Sequence, residues 1–443
     1  MNEISVTPLK TERSVLIFIL SCAFLIKLIL LFLLDPVLRS DSLDYQTLAN
    51  SLLNGEYSLN GKPTAYVGIG YPAFLSGIFF IFGEGQFYVR LVQSVIEAGT
   101  ALLFYGVSRR FFSIKHSLIS VAIFSFFPSN ILYSQTILSE PLFGFFSMAV
   151  LYLFLRDDFS RKPIQIFVAG LIFGLAVLIR TAYLPICILV PLFFYSYREE
   201  IFKTSKVRSA VIFSMIFFMG MILVIAPWSI RNKMMVGTYS LGTTSGLNFW
   251  LGSNPDATGS YFIKPDDMLP GDYSNEADRD KEYFKLGLDY AVSHPVNYMI
   301  LGIKKIGYLY SSERMIVNYF TETLPGQTST DVYRSASPLF TLLVNIPYFI
   351  IMLLGTWGLM YFGRKKFFIY GSVLIWIFTV VVFIALARYH YVLIPFFILG
   401  TVMFLSLGRG SLNEISTNKK ILAAGFSLFL IAVWTVEFYL MMR

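Results

Sequence analysis

Two carboxylates stand three residues apart in Ser40-Asp41-Ser42-Leu43-Asp44-Tyr45, just after an apolar run that ends at Leu34. A carboxylate placed there can take a proton from an attacking hydroxyl, or offset positive charge developing on a sugar ring. A plainer role competes with this one. If Leu43–Leu53 is a helix, Asp41 is its N-cap and Asp44 a first-turn acid favoured by the helix dipole. A third acid, Glu140 in Ser139-Glu140-Pro141, falls at the junction of two apolar runs. An ionisable group at that depth points to function, while Pro141 at a first helical position offers the simpler explanation of a helix-start acid. Three arginines also close apolar runs: Arg180 in Ile179-Arg180-Thr181, Arg231 in Pro227-Trp228-Ser229-Ile230-Arg231-Asn232, and Arg388 in Ala387-Arg388-Tyr389. The planar fork of a guanidinium suits two phosphate oxygens at once. Arginines, acids and aromatics on one face make a site for an anionic lipid headgroup. Lys27, inside the first apolar run, either reaches that cavity, snorkels, or makes a contact within the bundle.

The elements that must hold these residues are membrane spans. The chain has 443 residues, 56% of them hydrophobic and 14% charged, with a mean hydropathy of +0.66. A soluble domain needs roughly a quarter charged residues. Runs such as Val15–Leu34 and Ser209–Pro227 are long enough to cross about 30 Å of hydrocarbon at about 1.5 Å per residue. The first run follows Lys10 and Arg13 as a signal peptide would, but it lacks a small-residue cleavage site and is read as an uncleaved helix. The net charge of +8 fits the positive-inside bias of membrane proteins and not a nucleic-acid partner. Cys22 and Cys187 lie in apolar runs, so neither a disulfide framework nor a metal cluster is supported. His116, His294 and His390 lack ligand spacing; no cofactor is predicted, and a divalent metal is left open without ligand spacing to support it.

Basic clusters punctuate the runs at Lys10/Arg13, Arg109/Arg110/Lys115, Arg156/Arg161/Lys162, Arg198/Lys203/Lys206/Arg208, Arg364/Lys365/Lys366 and Arg409/Lys419/Lys420. They hold eighteen of the 35 Lys and Arg, against five in the intervening short loops (Arg39, Lys62, Arg90, Arg180 and Arg388). Placing all six clusters in the cytoplasm requires an even number of crossings between neighbours. The expected fold is therefore an all-α integral membrane protein of about eleven spans, N-terminus inside and C-terminus outside. The spans fall at Val15–Leu34, Tyr88–Val107, Ser117–Ser134, Pro141–Leu155, Ile164–Ile179 and Tyr183–Tyr197, then at Ser209–Pro227, Pro338–Phe362, Phe367–Ala387, Tyr391–Leu407 and Ile421–Met442. Tyr71–Phe82 is too short to span and is read as interfacial or re-entrant within a first outer loop, residues 35–87. That loop carries turn signals at Asn54-Gly55 and Asn60-Gly61. The division is an N-terminal membrane module (1–227), an outer loop domain (228–337) and C-terminal spans (338–443). In the loop domain, Pro265–Gly271 reads as a turn, and the helix-forming stretch Glu276–Tyr310 breaks at His294-Pro295. Its second half suits the membrane surface. Localisation is the inner or plasma membrane, with the site extracytoplasmic.

The order of these motifs resembles the polyprenyl-phosphate-sugar-dependent glycosyltransferases of the membrane-embedded C superfamily. Most similar is the bacterial dolichyl-phosphate-mannose-protein mannosyltransferase-like group (glycosyltransferase family 39) with its aminoarabinose-transferase relatives. The resemblance is carried by Asp41-Ser42-Leu43-Asp44-Tyr45 with Leu48-Ala49 and Leu53-Asn54-Gly55, then Gly70-Tyr71-Pro72 with Phe82-Gly83 and the Leu103–Phe112 segment with its basic doublet. Ser139-Glu140-Pro141-Leu142, Pro227-Trp228-x-x-Arg231-Asn232 and Arg388-Tyr389 follow in family order. It implies that Asp41 is the key first-loop acid and Glu140 its companion, with Arg231 and Arg388 as donor-phosphate contacts. Arg180, Asn232, Tyr389 and Asp44 would be further substrate-binding residues. Two departures stand out: Ser42 occupies the place of the usual second acid, and Thr181 instead of Pro follows Arg180. The implied reaction moves a sugar from a polyprenyl-phosphate donor to a glycan, lipid or protein acceptor, with inversion, among membrane lipids.

Other chemistries find less support. No Gly-rich phosphate loop is present, and no cytoplasmic loop has room for a nucleotide-binding domain. Asp278-Arg279-Asp280 spells the motif of nucleotide-sugar enzymes by chance, on the side where nucleotide sugars are absent. A surface-polysaccharide polymerase or ligase would share the spans and the Arg-bearing loop without needing Asp41 and Glu140. A lipid-linked-sugar transporter or flippase would show inverted repeats and broken spans at mid-bilayer.

Overall fold

Breakers in the apolar runs decide where the helices begin and end. A computed structural model describes residues 10–156, 162–196, 205–262, 275–324, 326–361, 367–408 and 415–442. Arg161, Arg198, Lys203, Arg364, Lys365, Lys366 and Arg409 of the basic clusters, and the Pro265–Gly271 turn, lie outside these. The N-terminal half runs α1 (Lys10–Leu33), α2 (Asp41–Leu53), β1 (Ser58–Leu59), β2 (Lys62–Pro63), α3 (Gly70–Phe82), α4 (Gln86–Ser108) and α5 (Ile114–Phe126). There follow α6 (Pro128–Tyr133), α7 (Glu140–Phe154), α8 (Pro163–Ile179), α9 (Leu189–Ser196) and α10 (Lys206–Val236). The second half holds α11 (Ser245–Leu251), α12 (Glu276–Ser293), α13 (Pro295–Leu309), α14 (Arg314–Tyr319) and α15 (Ser329–Ser335). It ends with α16 (Pro338–Leu359), α17 (Phe367–Val382), α18 (Ile394–Leu407) and α19 (Thr417–Met442).

The chain is mostly helical, and among the described residues five helices are long and apolar enough to cross a membrane: α1, α4, α10, α16 and α19. The remaining expected spans coincide with shorter apolar helices, and three of them differ from the uninterrupted runs read from sequence. Phe127, forced extended by Pro128, separates α5 from α6, so the run at Ser117–Ser134 is two helices and a turn. The run at Tyr183–Tyr197 opens with a 3-10 helix, Thr181–Ile188, which holds Pro185, and only then becomes α9. A second 3-10 helix, Ala387–Val392, precedes α18. In the opposite sense, α10 continues through Pro227 for more than two turns and so carries Trp228, Arg231 and Asn232 on a helix.

The first loop folds against these helices. Asn60 and Gly61 both take positive φ (51° and 72°), which gives the two-residue turn that a right-twisted hairpin requires between β1 and β2. A small apolar cluster lies beneath it, in which Leu48, Tyr57 and Ala65 meet Leu178, Trp228 and Ala277. The larger core runs through the helices, and Phe104, Phe143, Phe154, Phe173 and Phe217 are among its fully buried side chains.

Candidate functional site

Four chain segments bring their ends together beside the first loop. Asp41 opens α2, but not as its cap. Ser40 takes that position, with φ 34° and no side-chain capping bond to the helix amides, which corrects the expectation that Asp41 is the N-cap. A serine held at positive φ is strained, and the strain sits next to a candidate catalytic acid. Relieved of capping, the Asp41 carboxylate accepts a charge-assisted hydrogen bond from Arg388 on the Ala387–Val392 segment. The Arg388 Nε lies 3.6 Å from Glu140, at the start of α7. Arg180, the residue that ends α8, donates to that same Glu140 carboxylate and, through Nε, to Ser139 Oγ at 3.2 Å. Charges therefore alternate, Asp41–Arg388–Glu140–Arg180, over residues that span most of the sequence.

Aromatic rings hold the two guanidinium groups in place. Arg180 lies over the rings of Phe143 and Tyr389 at 5.8 and 5.5 Å, and Arg388 over Tyr389 at 5.9 Å. The Tyr389 carbonyl accepts from Trp376 Nε1 at 3.0 Å. Arg180 is aimed by close packing: a Cβ at Gly68 would stand 2.3 Å from the Leu178 carbonyl, so only glycine lets the first loop rest on the end of α8.

Burial tends to raise the Asp41 carboxyl, but the Arg388 charge and hydrogen bond, helped by Arg180, override it and hold the group below the ordinary carboxylate range. Asp44, one turn on, has no arginine, and burial followed by the Asp41 charge pushes it up. The two acids differ in exposure. The Asp41 side chain is 33% exposed and that of Glu140 only 1%, so Asp41 is the more accessible of the two acids. Glu140 Oε2, Arg388 Nε and the Tyr133 hydroxyl are buried without hydrogen-bond partners. Buried polar groups left unmatched in this way are suited to meet a ligand. Among the described residues, no group of three or more His, Cys, Asp or Glu is placed to hold a metal ion.

Asp41, Glu140, Arg180, Arg388 and Tyr389 thus come together, with Asp44 at the rim. Arg231 and Asn232 do not join them. Arg231 donates to the carbonyls of Thr64 (2.5 Å) and Tyr57 (2.8 Å) and lies over the Trp228 ring at 5.0 Å, while Asn232 donates to the Ser240 carbonyl at 2.8 Å. These are ties for the first loop. Glu276 completes the clamp by accepting from Thr64 Oγ1 at 2.7 Å, Thr243 Oγ1 at 3.0 Å and the Ala65 amide. Asp280 serves the start of α11, accepting from the amides of Gly246 and Leu247 at 2.7 and 3.3 Å. Lys27 is buried, with Glu97 of α4 as its balancing charge.

Two residues behind the site escaped the sequence. His390, fully buried, sets Nδ1 3.0 Å from the Leu309 carbonyl and Nε2 3.2 Å from Glu313, which also accepts from Ser129 Oγ. This pins the segment that carries Arg388. The adjacency of His390 to Arg388-Tyr389 was the available signal for one partner; nothing in the sequence pointed to Glu313.

Residues 66–224 match the family model described as dolichyl-phosphate-mannose-protein mannosyltransferase. That segment holds Glu140 and Arg180, and over it the resemblance suggested by motif order is shown. No curated protein matches the chain in sequence. Among solved structures, the chain is similar to the oligosaccharyltransferase of Archaeoglobus fulgidus in its apo form, with a TM-score of 0.50 and 15% identity over 94% of this chain and 55% of that one. It is also similar to the archaeal oligosaccharyltransferase AglB from the same organism in complex with an inhibitory peptide and a dolichol-phosphate, with a TM-score of 0.48 and 16% identity over 94% and 54%. The chain spans about half the length of the solved structures it matches, and at this identity the likeness is one of fold.

Proposed function

We propose that the chain is an inverting glycosyltransferase that moves a sugar from a polyprenyl-phosphate donor to an acceptor at the extracytoplasmic face of the membrane. The observation that carries this reading is the alternating Asp41–Arg388–Glu140–Arg180 cluster. It pairs a half-buried acid with two preorganised guanidinium groups, the combination that transfer from a phosphate leaving group needs. Arg388 and Arg180 bind the donor phosphate and stabilise the charge that grows on it as the sugar leaves. Asp41 accepts the proton of the acceptor hydroxyl, and Glu140 fixes the arginines and the sugar from below. One displacement at the anomeric carbon inverts it. Arg231 holds the first loop in place and does not touch the phosphate, a change from the role its motif suggested. The acceptor is a glycan, a lipid or a protein hydroxyl.

The test is transfer in vitro from a synthetic polyprenyl-phosphate sugar by the purified chain. Asp41→Asn keeps the shape and removes the base, and turnover should fall by about 10²–10⁴. Asp44→Asn, which removes an acid that no arginine holds, should lower turnover far less. A dead Asp44→Asn beside an active Asp41→Asn would reverse the assignment. No transfer by the wild type from any such donor, in folded protein, would sink the reading.

A further inference from the structure

The two acids neutralise the two arginines, so the cluster by itself offers no net positive charge to a phosphate. A polyprenyl-phosphate sugar is a phosphodiester monoanion, and it becomes a phosphate-monoester dianion as the sugar departs. For the guanidinium of Arg388 to take that group through two parallel bonds, it must let go of a carboxylate. Glu140 is 1% exposed and held by Arg180, whereas Asp41 is 33% exposed, stands at the first residue of a loop helix and has Arg388 as its one ion-pair partner among the described residues. Arg388 is moreover only partly engaged, since its buried Nε has no hydrogen-bond partner. A buried donor left in that state carries a desolvation cost, which an incoming phosphate oxygen recovers.

Resting on the function proposed above, we infer that the donor phosphate and the Asp41 carboxylate exchange places on Arg388, so that Asp41 becomes free to act as base only once the donor is seated. The acceptor oxygen then attacks the anomeric carbon, and the carbon–oxygen bond to phosphate breaks with its electron pair going to the phosphate. The acceptor proton passes to Asp41. When Asp41 gives that proton to water, its carboxylate returns to Arg388 and displaces the spent polyprenyl phosphate. The same contact that withholds the base before the reaction thus expels the product after it.

Equilibrium binding of a short-chain polyprenyl monophosphate to the purified full chain in detergent tests this. A ligand whose partner is free only a fraction of the time binds more weakly by that fraction. Asp41→Asn and Asp41→Ser should therefore each bind the monophosphate at least about tenfold more tightly than the wild type while losing transfer. Asp44→Asn is the control, because it removes a neighbouring charge that does not hold Arg388. Tightening below about threefold is expected there. Equal tightening in the Asp41 and Asp44 variants would reduce the effect to general repulsion and overturn the exchange, as would unchanged or weaker binding in both Asp41 variants with normal melting curves. A wild type that does not bind the monophosphate, or an Arg388→Lys variant that binds it as well as the wild type, would instead remove the donor-phosphate reading itself.

Discussion

Asp41 and Asp44 share a helix turn and differ in what faces them: an arginine meets the first, and only the charge of the other acid meets the second. That difference was not in the sequence. The spacing alone gave both acids equal claims; the resemblance singled out Asp41, and the contact that sets it apart physically is with Arg388, 347 residues away. The three arginines looked equivalent for the same reason. Each ends an apolar run, but the acceptors that engage Arg231 are backbone carbonyls of Tyr57 and Thr64, which a sequence does not display. Their roles are separable by experiment. Lysine keeps the charge and loses the fork, so Arg388→Lys should lower turnover by at least about tenfold, on the order of 1.4 kcal/mol. Arg231→Lys should act first on stability, leaving one loop carbonyl unmatched at about 1–3 kcal/mol. Melting curves beside turnover decide between them. A tenfold loss of turnover in Arg231→Lys with an unchanged melting temperature would return Arg231 to the phosphate.

Elements were more legible where a local signal exists. Asn60-Gly61 announced a turn, which the structure makes the turn of a hairpin, and His294-Pro295 divided the long segment into α12 and α13. The break at Phe127-Pro128 was equally local and was overridden by the apolar length around it. The junction of α13 with α17 had no signal at all. There Lys305, fully buried, donates to the carbonyls of Val381 and Val382 at 2.9 and 3.2 Å, covering the C-terminal end of α17. Burial lowers its pKa to about 7. An unfolded lysine titrates near about 10.4, so between these values the unfolded chain binds more protons, and stability rises with pH. Relative to Lys305→Met, the wild type should gain stability from about pH 7 to pH 10, with a flat difference below pH 7. Thermal melts of both proteins across that range are the check. A difference that ignores pH would show that the ammonium stays charged in the fold.

At the scale of the molecule, the asymmetry of Lys and Arg between alternate loops makes a directional prediction: reporters fused after Arg110 or Arg208 should report cytoplasm, and those at Asn54, Ser253 or the C-terminus the outside. A cytoplasmic report at Asn54 would put the Asp41 site on the wrong face for the proposed donor. The mostly helical, membrane-crossing character was legible as hydropathy, whereas the convergence of helix ends was not, because it is a product of packing. That convergence also has a consequence for how the protein is made. At roughly 5–20 residues per second, a ribosome adds Arg388 some tens of seconds after Asp41. Throughout that interval the Asp41 acid stands in a loop without its arginine, and the Thr64 segment waits for Glu276. On the function proposed above, the nascent chain holds no complete site until Arg388 has been added, and its order of synthesis keeps it inert until then.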